Sequence, residues 1–227
     1  MLYLLRLRQH FDSVKIDCYI NFMTTSISTS KPSTKYHHGN LRQTLLAAAR
    51  QMIAAEGIES LSLRKLADKI GVSRTAAYHY FDDKNDLLCA IASDGFRQWQ
   101  QLVMQSEKEN QTERQKFEQY LIKYMVFATH HPEEYELMFG RCIWKQSQST
   151  KELQTIAHGT FQHQVDMMAY WQSIGLVIGD NPLRTAQIIW GTLHGIAKLF
   201  IDGVYVDDTR AEEIVKSALP LFLTPKD

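Results

Sequence analysis

The stretch GVSRTAAYHYF carries the side chains of this sequence that are best suited to recognise another molecule. Arg74 presents a guanidinium that pairs with guanine or phosphate, and the methyl and hydroxyl groups of Thr75 suit base edges. Tyr78, His79 and Tyr80 carry hydrogen-bond donors suited to phosphate oxygens. A buried helix would carry Leu or Ile at these positions, and a solvated helix would carry Lys or Glu. The stretch therefore predicts a surface that contacts DNA.

A helix-turn-helix has to position this surface. The sequence predicts an amphipathic first helix whose N-cap is Asn40 and which ends at Gly57. It predicts a second helix whose N-cap is Ser62 and which ends at Gly71. Ser73 then caps the third helix. Two helices joined by a short turn that contains Gly form the helix-turn-helix pattern.

The third helix has an inner face as well as an outer one. Ala77 and Phe81 lie four residues apart and face the first two helices, and Val72 in the turn closes that small core. The short Ala side chains keep the helix slim enough for a major groove about 12 Å wide. Lys84, at the start of the next helix, adds a charge beside backbone N–H groups and suits a phosphate. Plain three-helix packing gives a similar pattern, so the periodicity alone leaves DNA binding and structural packing both open.

Charge is distributed unevenly along the chain. The formal net charge of all 227 residues is zero. Residues 31–80 contain eight Lys or Arg against three Asp or Glu, whereas residues 81–227 contain 14 basic and 20 acidic residues. A basic segment joined to an acidic remainder indicates a head that binds a polyanion and a body with another role.

Residues 36–91 resemble the DNA-binding domain of TetR-family transcriptional regulators. The resemblance rests on residues spread over the three predicted helices and the start of a fourth. They are Gly57, Ser62, Leu66, Ala67, Gly71, Val72, Ser73, Tyr78, Phe81, Lys84, Leu87 and Leu88. Ala77 departs from the pattern, because many members carry a larger Leu there. The stretches HHPEEYELMFG and WGTLHGIAKL resemble a TetR C-terminal domain type named for its Trp, His and Gly residues.

The resemblance implies an all-α fold. An N-terminal three-helix helix-turn-helix DNA-binding domain would occupy residues 36–83, and a C-terminal helical bundle for ligand binding and dimerisation residues 84–227. It further implies a homodimeric repressor that a small molecule releases from a pseudo-palindromic operator of double-stranded DNA. The implied DNA contacts are Ser62, Arg64, Ser73, Arg74, Thr75, Tyr78, His79, Tyr80 and Lys84. A transcriptional activator and a ligand-independent DNA binder stay open as alternatives.

Six further helices are predicted in the body, at residues 84–105, 112–130, 132–141, 151–174, 182–202 and 209–222. Gly191 and Gly195 lie about one turn apart in the fifth of them, where each Gly costs up to about 1 kcal/mol relative to Ala. A closely approaching helix is the usual compensation. Gly191, His194 and Gly195 are therefore the dimerisation candidates, with His194 donating to a carbonyl across the contact. Packing within one chain explains the same glycines equally well.

Large aromatic side chains are concentrated in the central helices of the body. Trp144, Phe161 and Trp171 are the candidate walls of a ligand cavity, because a compact bundle has limited room for so many rings unless a cavity opens between helices. The ligand would then be apolar or aromatic. Ordinary core packing is the alternative for each of these residues.

Several other classes of function find no support in the sequence. The three cysteines stand far apart without a CxxC pair, which disfavours disulfides and zinc and favours the cytoplasm. No spacing of metal ligands, catalytic triad order or Gly-rich phosphate loop stands out, so no cofactor, metal or enzymatic activity is predicted. An all-α metal-binding or enzymatic bundle with an incidental helix-turn-helix stays open as an alternative, and so does a protein-interaction module.

Long apolar runs and long polar segments indicate membrane spans and disordered arms respectively. No apolar run approaches the roughly 20 residues that a membrane span requires, so no membrane partner is predicted. Residues 24–35 are rich in Ser and Thr, and residues 1–35 as a whole are predicted to be a disordered arm. Residues 1–22 share no pattern with the rest. They are either part of that arm or sequence upstream of a start at Met23.

Overall fold

The computed structural model describes residues 41–145, 148–205 and 211–225, all within a compact unit, Gly39–Asp227. Its α-helices are α1 (Leu41–Glu56), α2 (Leu63–Ile70), α3 (Arg74–Tyr78), α4 (Lys84–Glu107), α5 (Glu113–His130), α6 (Pro132–Phe139), α7 (Arg141–Trp144), α8 (Lys151–Ser173), α9 (Pro182–Ile201) and α10 (Ala211–Ala218). Short 3-10 turns follow α1, at Ile58–Ser60, and α10, at Leu219–Leu221. The described residues contain no strand, so the prediction of an all-α fold is confirmed.

Side-chain caps explain where several helices begin. Ser62 accepts a hydrogen bond from the backbone N–H of Lys65, and Ser73 accepts one from that of Ala76, as the sequence predicted. Asp83 rather than Asp82 caps α4. Thr112 caps α5 in a reciprocal capping box. The predicted cap Asn40 lies outside the described residues.

The head consists of α1, α2 and α3 around a small apolar core. Leu45, Leu66 and Ala77 are fully buried in it, and Phe81 is nearly so. Gly71 ends α2 in the left-handed region, with a φ of 72°, which lets the chain turn sharply into α3. The predicted burial of Ala77 and Phe81 is therefore confirmed, although Phe81 lies beyond the end of α3.

Three predicted helices extend further than the helices of the structure. Helix α3 ends at Tyr78, because the chain must turn to bury Phe81 in the head core before Asp83 begins α4. The helix predicted at residues 132–141 breaks at Gly140, which separates α6 from α7. The last predicted helix changes at Ala218 into the 3-10 turn; its predicted start at residue 209 lies outside the described residues.

Helix α4 joins the head to the rest of the bundle. Its 24 residues span about 36 Å. It contacts α1 of the head and packs most extensively on α6 and α8. Gly95 allows the close contact with α6, because a Cβ there would lie 2.6 Å from the sulfur of Met138. The boundary predicted between residues 83 and 84 stays a prediction.

A partly buried charge cluster also links the head to the body. Arg50 of α1 donates to Glu134 of α6 over 3.0 Å and to Asp94 of α4 over 3.1 Å. Arg97 continues the cluster from Asp94, over 3.0 Å, to Glu152 of α8. We call these five residues the charge cluster. Sequence reasoning missed it, because the partners of Arg50 lie 44 and 84 residues away along the chain.

Glu134 is the member of the charge cluster that depends most on its partner. Its side chain is 7% exposed. Burial raises the pKa of Glu134 above its ordinary value, and Arg50 opposes that shift. Without Arg50 the Glu134 carboxylate would be a buried charge with no counter-ion, which is costly.

We expect Arg50→Met to destabilise the protein by about 3 kcal/mol at pH 7.5, because it leaves the Glu134 carboxylate unpaired. The pKa of Glu134 in the folded variant should rise further, so the penalty exists above that pKa and is relieved as the pH falls through it. Urea unfolding at pH 7.5 and pH 5 measures this, and the deficit of the variant should shrink at pH 5.

The matched control is Lys216→Met, which removes an exposed ion pair with Glu212 and should change stability little at either pH. Adding Glu134→Gln to Arg50→Met should restore part of the lost stability at pH 7.5. A deficit that is the same at both pH values, and that Glu134→Gln leaves unchanged, would contradict this interpretation.

Candidate DNA interface and effector cavity

Helices α2 and α3 leave most of the predicted DNA-contacting side chains exposed. Arg64, Arg74, Thr75 and His79 are exposed, and Tyr78 is 52% exposed although it is a large ring. These positions lie opposite the buried Leu66 and Ala77, so the head core holds their backbone while the side chains stay free.

Three of the predicted DNA contacts have a structural role as well. Ser62 and Ser73 use their hydroxyl oxygens as caps, which leaves each hydroxyl hydrogen able to donate to a phosphate. Tyr80 lies beyond the end of α3, half-buried against the core, with its ring edge-on to His79 at 5.3 Å. Tyr80 is thus the least accessible of the aromatic candidates.

The basic residues of the head are not all available to DNA. Arg50 points into the charge cluster, and the guanidinium of Arg42 lies 5.6 Å from the centre of the Phe81 ring. Lys84 is half-buried at the first turn of α4. The positive charge counted from the sequence therefore overstates the charge that the head offers to a polyanion.

An aromatic cavity of about 380 Å³ opens between α4, α5, α6, α7, α8 and α9. Among the described residues, its wall contains no charged side chain. The lining residues are Phe96, Trp99, Tyr124, Met138, Phe139, Trp144, Ala157, Thr160, Phe161, Gln164, Gln187, Trp190 and His194. The structure therefore brings the predicted residues Trp144 and Phe161 into one cavity. We call it the aromatic cavity.

Trp171 does not share that cavity. It lies ten residues after Phe161 on α8, about 15 Å further along the helix and on another side of it. Its indole N–H donates to Glu113 over 3.1 Å, and its ring packs edge-on against Phe117 at 5.0 Å. Trp171 lines a separate cavity of about 270 Å³ whose wall includes charged residues such as Lys116. Grouping the three rings at one ligand site is thus corrected to Trp144 and Phe161.

His194 contacts other aromatic residues of its own chain. Its Nδ1 lies 2.6 Å from the hydroxyl of Tyr135, and its ring stacks on that of Tyr135 at 5.5 Å. Burial lowers the pKa of His194 below its ordinary value, Lys198 lowers it further, and Glu136 acts in the opposite direction. His194 thus lies in the wall of the aromatic cavity, and its role at a dimer contact stays a prediction.

Gly191 and Gly195 face open space. A Cβ placed on either residue would have no described heavy atom of a neighbouring element within 4 Å. Both residues are exposed, as is Ile188 on the preceding turn of α9, at 62%. Packing within the described part of the chain therefore does not explain these glycines.

Residues 41–145, 148–205 and 211–225 contain neither of two further classes of site. No group of three or more His, Cys, Asp or Glu side chains stands close enough together there to hold a metal ion. No helix of those segments combines the length and the apolar character that a membrane crossing needs.

Two segments of the chain match models of one protein family. Residues 45–91 match the model of "Bacterial regulatory proteins, tetR family". Residues 117–221 match the model of "Tetracyclin repressor-like, C-terminal domain". The finer resemblance to the type named for Trp, His and Gly stays a prediction.

Curated relatives match over a short segment. The HTH-type transcriptional repressor AcnR of Corynebacterium diphtheriae is 34% identical over 65 residues, which are 29% of this chain and 34% of that protein. AcnR of Corynebacterium glutamicum is 34% identical over 67 residues, 30% of this chain and 36% of that protein. The chain thus matches only about a third of the length of these relatives.

Solved structures match over most of the chain. A protein of unknown function from Rhodococcus sp. RHA1 superposes with a TM-score of 0.73 at 30% identity, covering 83% of this chain and 96% of that one. A tetR-family regulatory protein from Rhodococcus RHA1, at 16% identity and a TM-score of 0.62, covers 79% and 93% respectively and shows the shared fold. The family consists of regulators rather than enzymes. The chain belongs to the TetR family of bacterial regulatory proteins.

Proposed function

We propose that this protein is a sequence-specific DNA-binding transcriptional repressor of the cytoplasm. It binds a pseudo-palindromic operator as a homodimer, and a small apolar or aromatic molecule in the aromatic cavity releases it. The observation that carries the proposal is the exposed polar face of α2 and α3, held rigidly by the head core.

The exposed side chains divide into two roles on DNA. Arg74 and Thr75, on the first turn of α3, are the base readers, because a recognition helix enters the major groove through its N-terminal residues. Tyr78 and His79 donate to phosphates, and Lys84 adds a cationic phosphate contact. Ser62, Arg64 and Ser73 position the backbone in the same way, and Tyr80 contributes least because it is half-buried.

Repression is favoured over activation because the curated relatives with matching segments are named transcriptional repressors. The match covers only part of each of those proteins. A reporter gene placed behind the operator separates the two roles: deletion of the repressor raises expression, whereas deletion of an activator lowers it.

A face of α9 supports the homodimer. Ile188, Gly191 and Gly195 recur at helical spacing on one exposed side of the helix. The two glycines let another helix approach closely, and burial of Ile188 would supply the apolar driving force. A second copy of the chain is the partner that the two-fold symmetry of an operator requires.

Release follows from the elements that the head and the cavity share. Helix α4 carries Phe96 and Trp99 in the cavity wall and begins directly after the head. Helix α6 carries Met138 in the same wall and holds the head through Glu134 and Arg50. A ligand that prefers a displaced arrangement of these helices lowers operator affinity by linkage. Because major grooves on one face of DNA repeat every ~34 Å, a displacement of a few ångströms is enough.

The operator test uses fluorescence anisotropy on a labelled duplex from the region upstream of the gene. We expect Lys84→Ala to reduce the dependence of log affinity on log salt by about 0.9 for each phosphate that is no longer neutralised, or about 1.8 for a dimer. We expect Arg74→Ala instead to reduce the preference for this duplex over random DNA, by about 1–3 kcal/mol for each base that is no longer read.

The control for Lys84→Ala is Lys108→Ala, at the opposite end of the same helix and about 36 Å away. It should leave both the affinity and the salt slope unchanged. Equal binding of the operator and random duplexes by the wild-type protein, at every salt concentration and with operators selected from a random pool, would contradict the proposal.

Ile188→Asp should convert the dimer to a monomer, because it places a charge in the apolar stripe that the partner would bury. Sedimentation equilibrium measures the change, which we expect to exceed a tenfold increase in the dimer dissociation constant. Val126→Asp, at an exposed apolar position on α5, is the matched control and should leave the dimer intact. A monomeric wild type, or equal effects of the two variants, would count against the α9 interface.

A further inference from the structure

Four side chains at one end of the aromatic cavity are joined in a line of hydrogen bonds. The indole N–H of Trp190 donates to the hydroxyl of Tyr124 over 3.0 Å. The hydroxyls of Tyr124 and Tyr135 lie 2.7 Å apart, and that of Tyr135 lies 2.6 Å from Nδ1 of His194. Three of the four residues, Trp190, Tyr124 and His194, line the cavity, and Tyr135 lies behind it.

The first donor sets the direction of the whole line. An indole nitrogen can only donate, so the Tyr124 oxygen accepts from Trp190. The Tyr124 hydroxyl is buried and has no further partner in the described parts of the chain, so its hydrogen goes to Tyr135. The Tyr135 hydroxyl then donates to Nδ1 of His194. Any other assignment would leave a buried hydroxyl hydrogen unsatisfied.

This direction fixes the tautomer of His194. A neutral imidazole that accepts at Nδ1 carries its proton on Nε2. Burial and the nearby Lys198 both favour the neutral ring, and Lys198 is itself held by Glu136 over 2.7 Å and by Asp202 over 3.1 Å. Nε2 has no hydrogen-bond partner among the described residues. His194 therefore offers the cavity one uncharged N–H donor.

Several other polar groups of the described wall are already engaged, and Gln187 accepts a hydrogen bond from Arg184 over 2.7 Å. The indole N–H of Trp144 donates to the carbonyl of Met138 over 2.7 Å, and the Thr160 hydroxyl donates to that of Ile156 over 2.8 Å. The amide nitrogen of Gln164 donates to the carbonyl of Ala186 over 3.2 Å. The described part of the wall also lacks a charged side chain, so a carboxylate or an ammonium ion would lose its hydration there without gaining a counter-ion.

We infer that the effector is an uncharged molecule with an aromatic or alicyclic ring system and a carbonyl-type acceptor, which accepts a hydrogen bond from Nε2 of His194. Ketones, lactones and amides of this size satisfy the description, whereas carboxylates, amines and plain hydrocarbons do not. The inference rests on the proposed function only in calling the bound molecule an effector. The recognition chemistry belongs to the cavity itself.

The test uses three probes with one ring skeleton: 9-fluorenone, which carries an acceptor, fluorene, which carries neither acceptor nor donor, and carbazole, which carries a donor. Equilibrium dialysis against the full chain without DNA gives their dissociation constants. We expect 9-fluorenone to bind about 5- to 10-fold more tightly than fluorene, the effect of one neutral hydrogen bond. Carbazole should bind no more tightly than fluorene.

Variants connect this preference to His194. His194→Leu should remove the preference for 9-fluorenone over fluorene while both probes still bind. His194→Gln should retain part of it, because the Gln amide nitrogen reaches nearly as far as Nε2 and also donates. Tyr170→Phe removes a hydroxyl from the same helix as Phe161 but outside the aromatic cavity, and it should leave the preference unchanged.

Tyr135→Phe is a second variant that tests the preference for 9-fluorenone over fluorene. It removes the hydroxyl that fixes the tautomer without touching the cavity wall, so it should weaken the preference for 9-fluorenone even if His194→Leu fails to fold. Equal affinity for the three probes, a preference for carbazole, or no binding of any probe would each overturn the inference. If the operator test fails while 9-fluorenone still binds more tightly than fluorene, only the repressor proposal is contradicted. If the operator is bound but 9-fluorenone is not preferred, only the inferred class of effector is contradicted.

Discussion

One helix has to satisfy two packing partners at once, and the rest of the structure follows from that constraint. Helix α4 begins shortly after α3 of the head ends, and farther along it supplies Phe96 and Trp99 to the aromatic cavity. A helix resists bending because each residue is hydrogen-bonded to the next turn. A displacement at the cavity is therefore transmitted along α4 towards the head.

Charged and uncharged side chains occupy different parts of the described bundle. The charge cluster holds α1 against α4 and α6 through ion pairs that require a specific geometry, whereas the described wall of the aromatic cavity contains no charged side chain. Separating the partners of a buried ion pair is costly, because it leaves a buried charge without its counter-ion. A ligand that pushes on Met138 acts on the same short helix that carries Glu134, so the cavity and the ion pair are placed to influence one another.

Patterns within a few residues of the sequence predicted much of the fold. They could not predict contacts between residues that lie far apart along the chain. The caps Ser62 and Ser73 and the buried pair Ala77 and Phe81 follow from spacing within a few residues, and the structure confirms them. The partners of Arg50 do not, because sequence spacing carries no information about helices that meet 84 residues later. Composition identified the aromatic body but could not assign each ring to a cavity, since the side of α8 that each ring occupies depends on tertiary packing. Sequence reasoning missed Tyr135, which links Tyr124 to His194 by hydrogen bonds, for the same reason.

The most direct test of the central claim is selection of binding sites by the wild-type protein from a random pool of duplexes. A symmetric repressor should enrich an inverted repeat whose half-sites are centred about 10 base pairs apart, or a multiple of that distance. Such a result would establish sequence-specific recognition and two-fold symmetry together. Enrichment of no sequence, or of a single half-site without its inverted copy, would contradict the account.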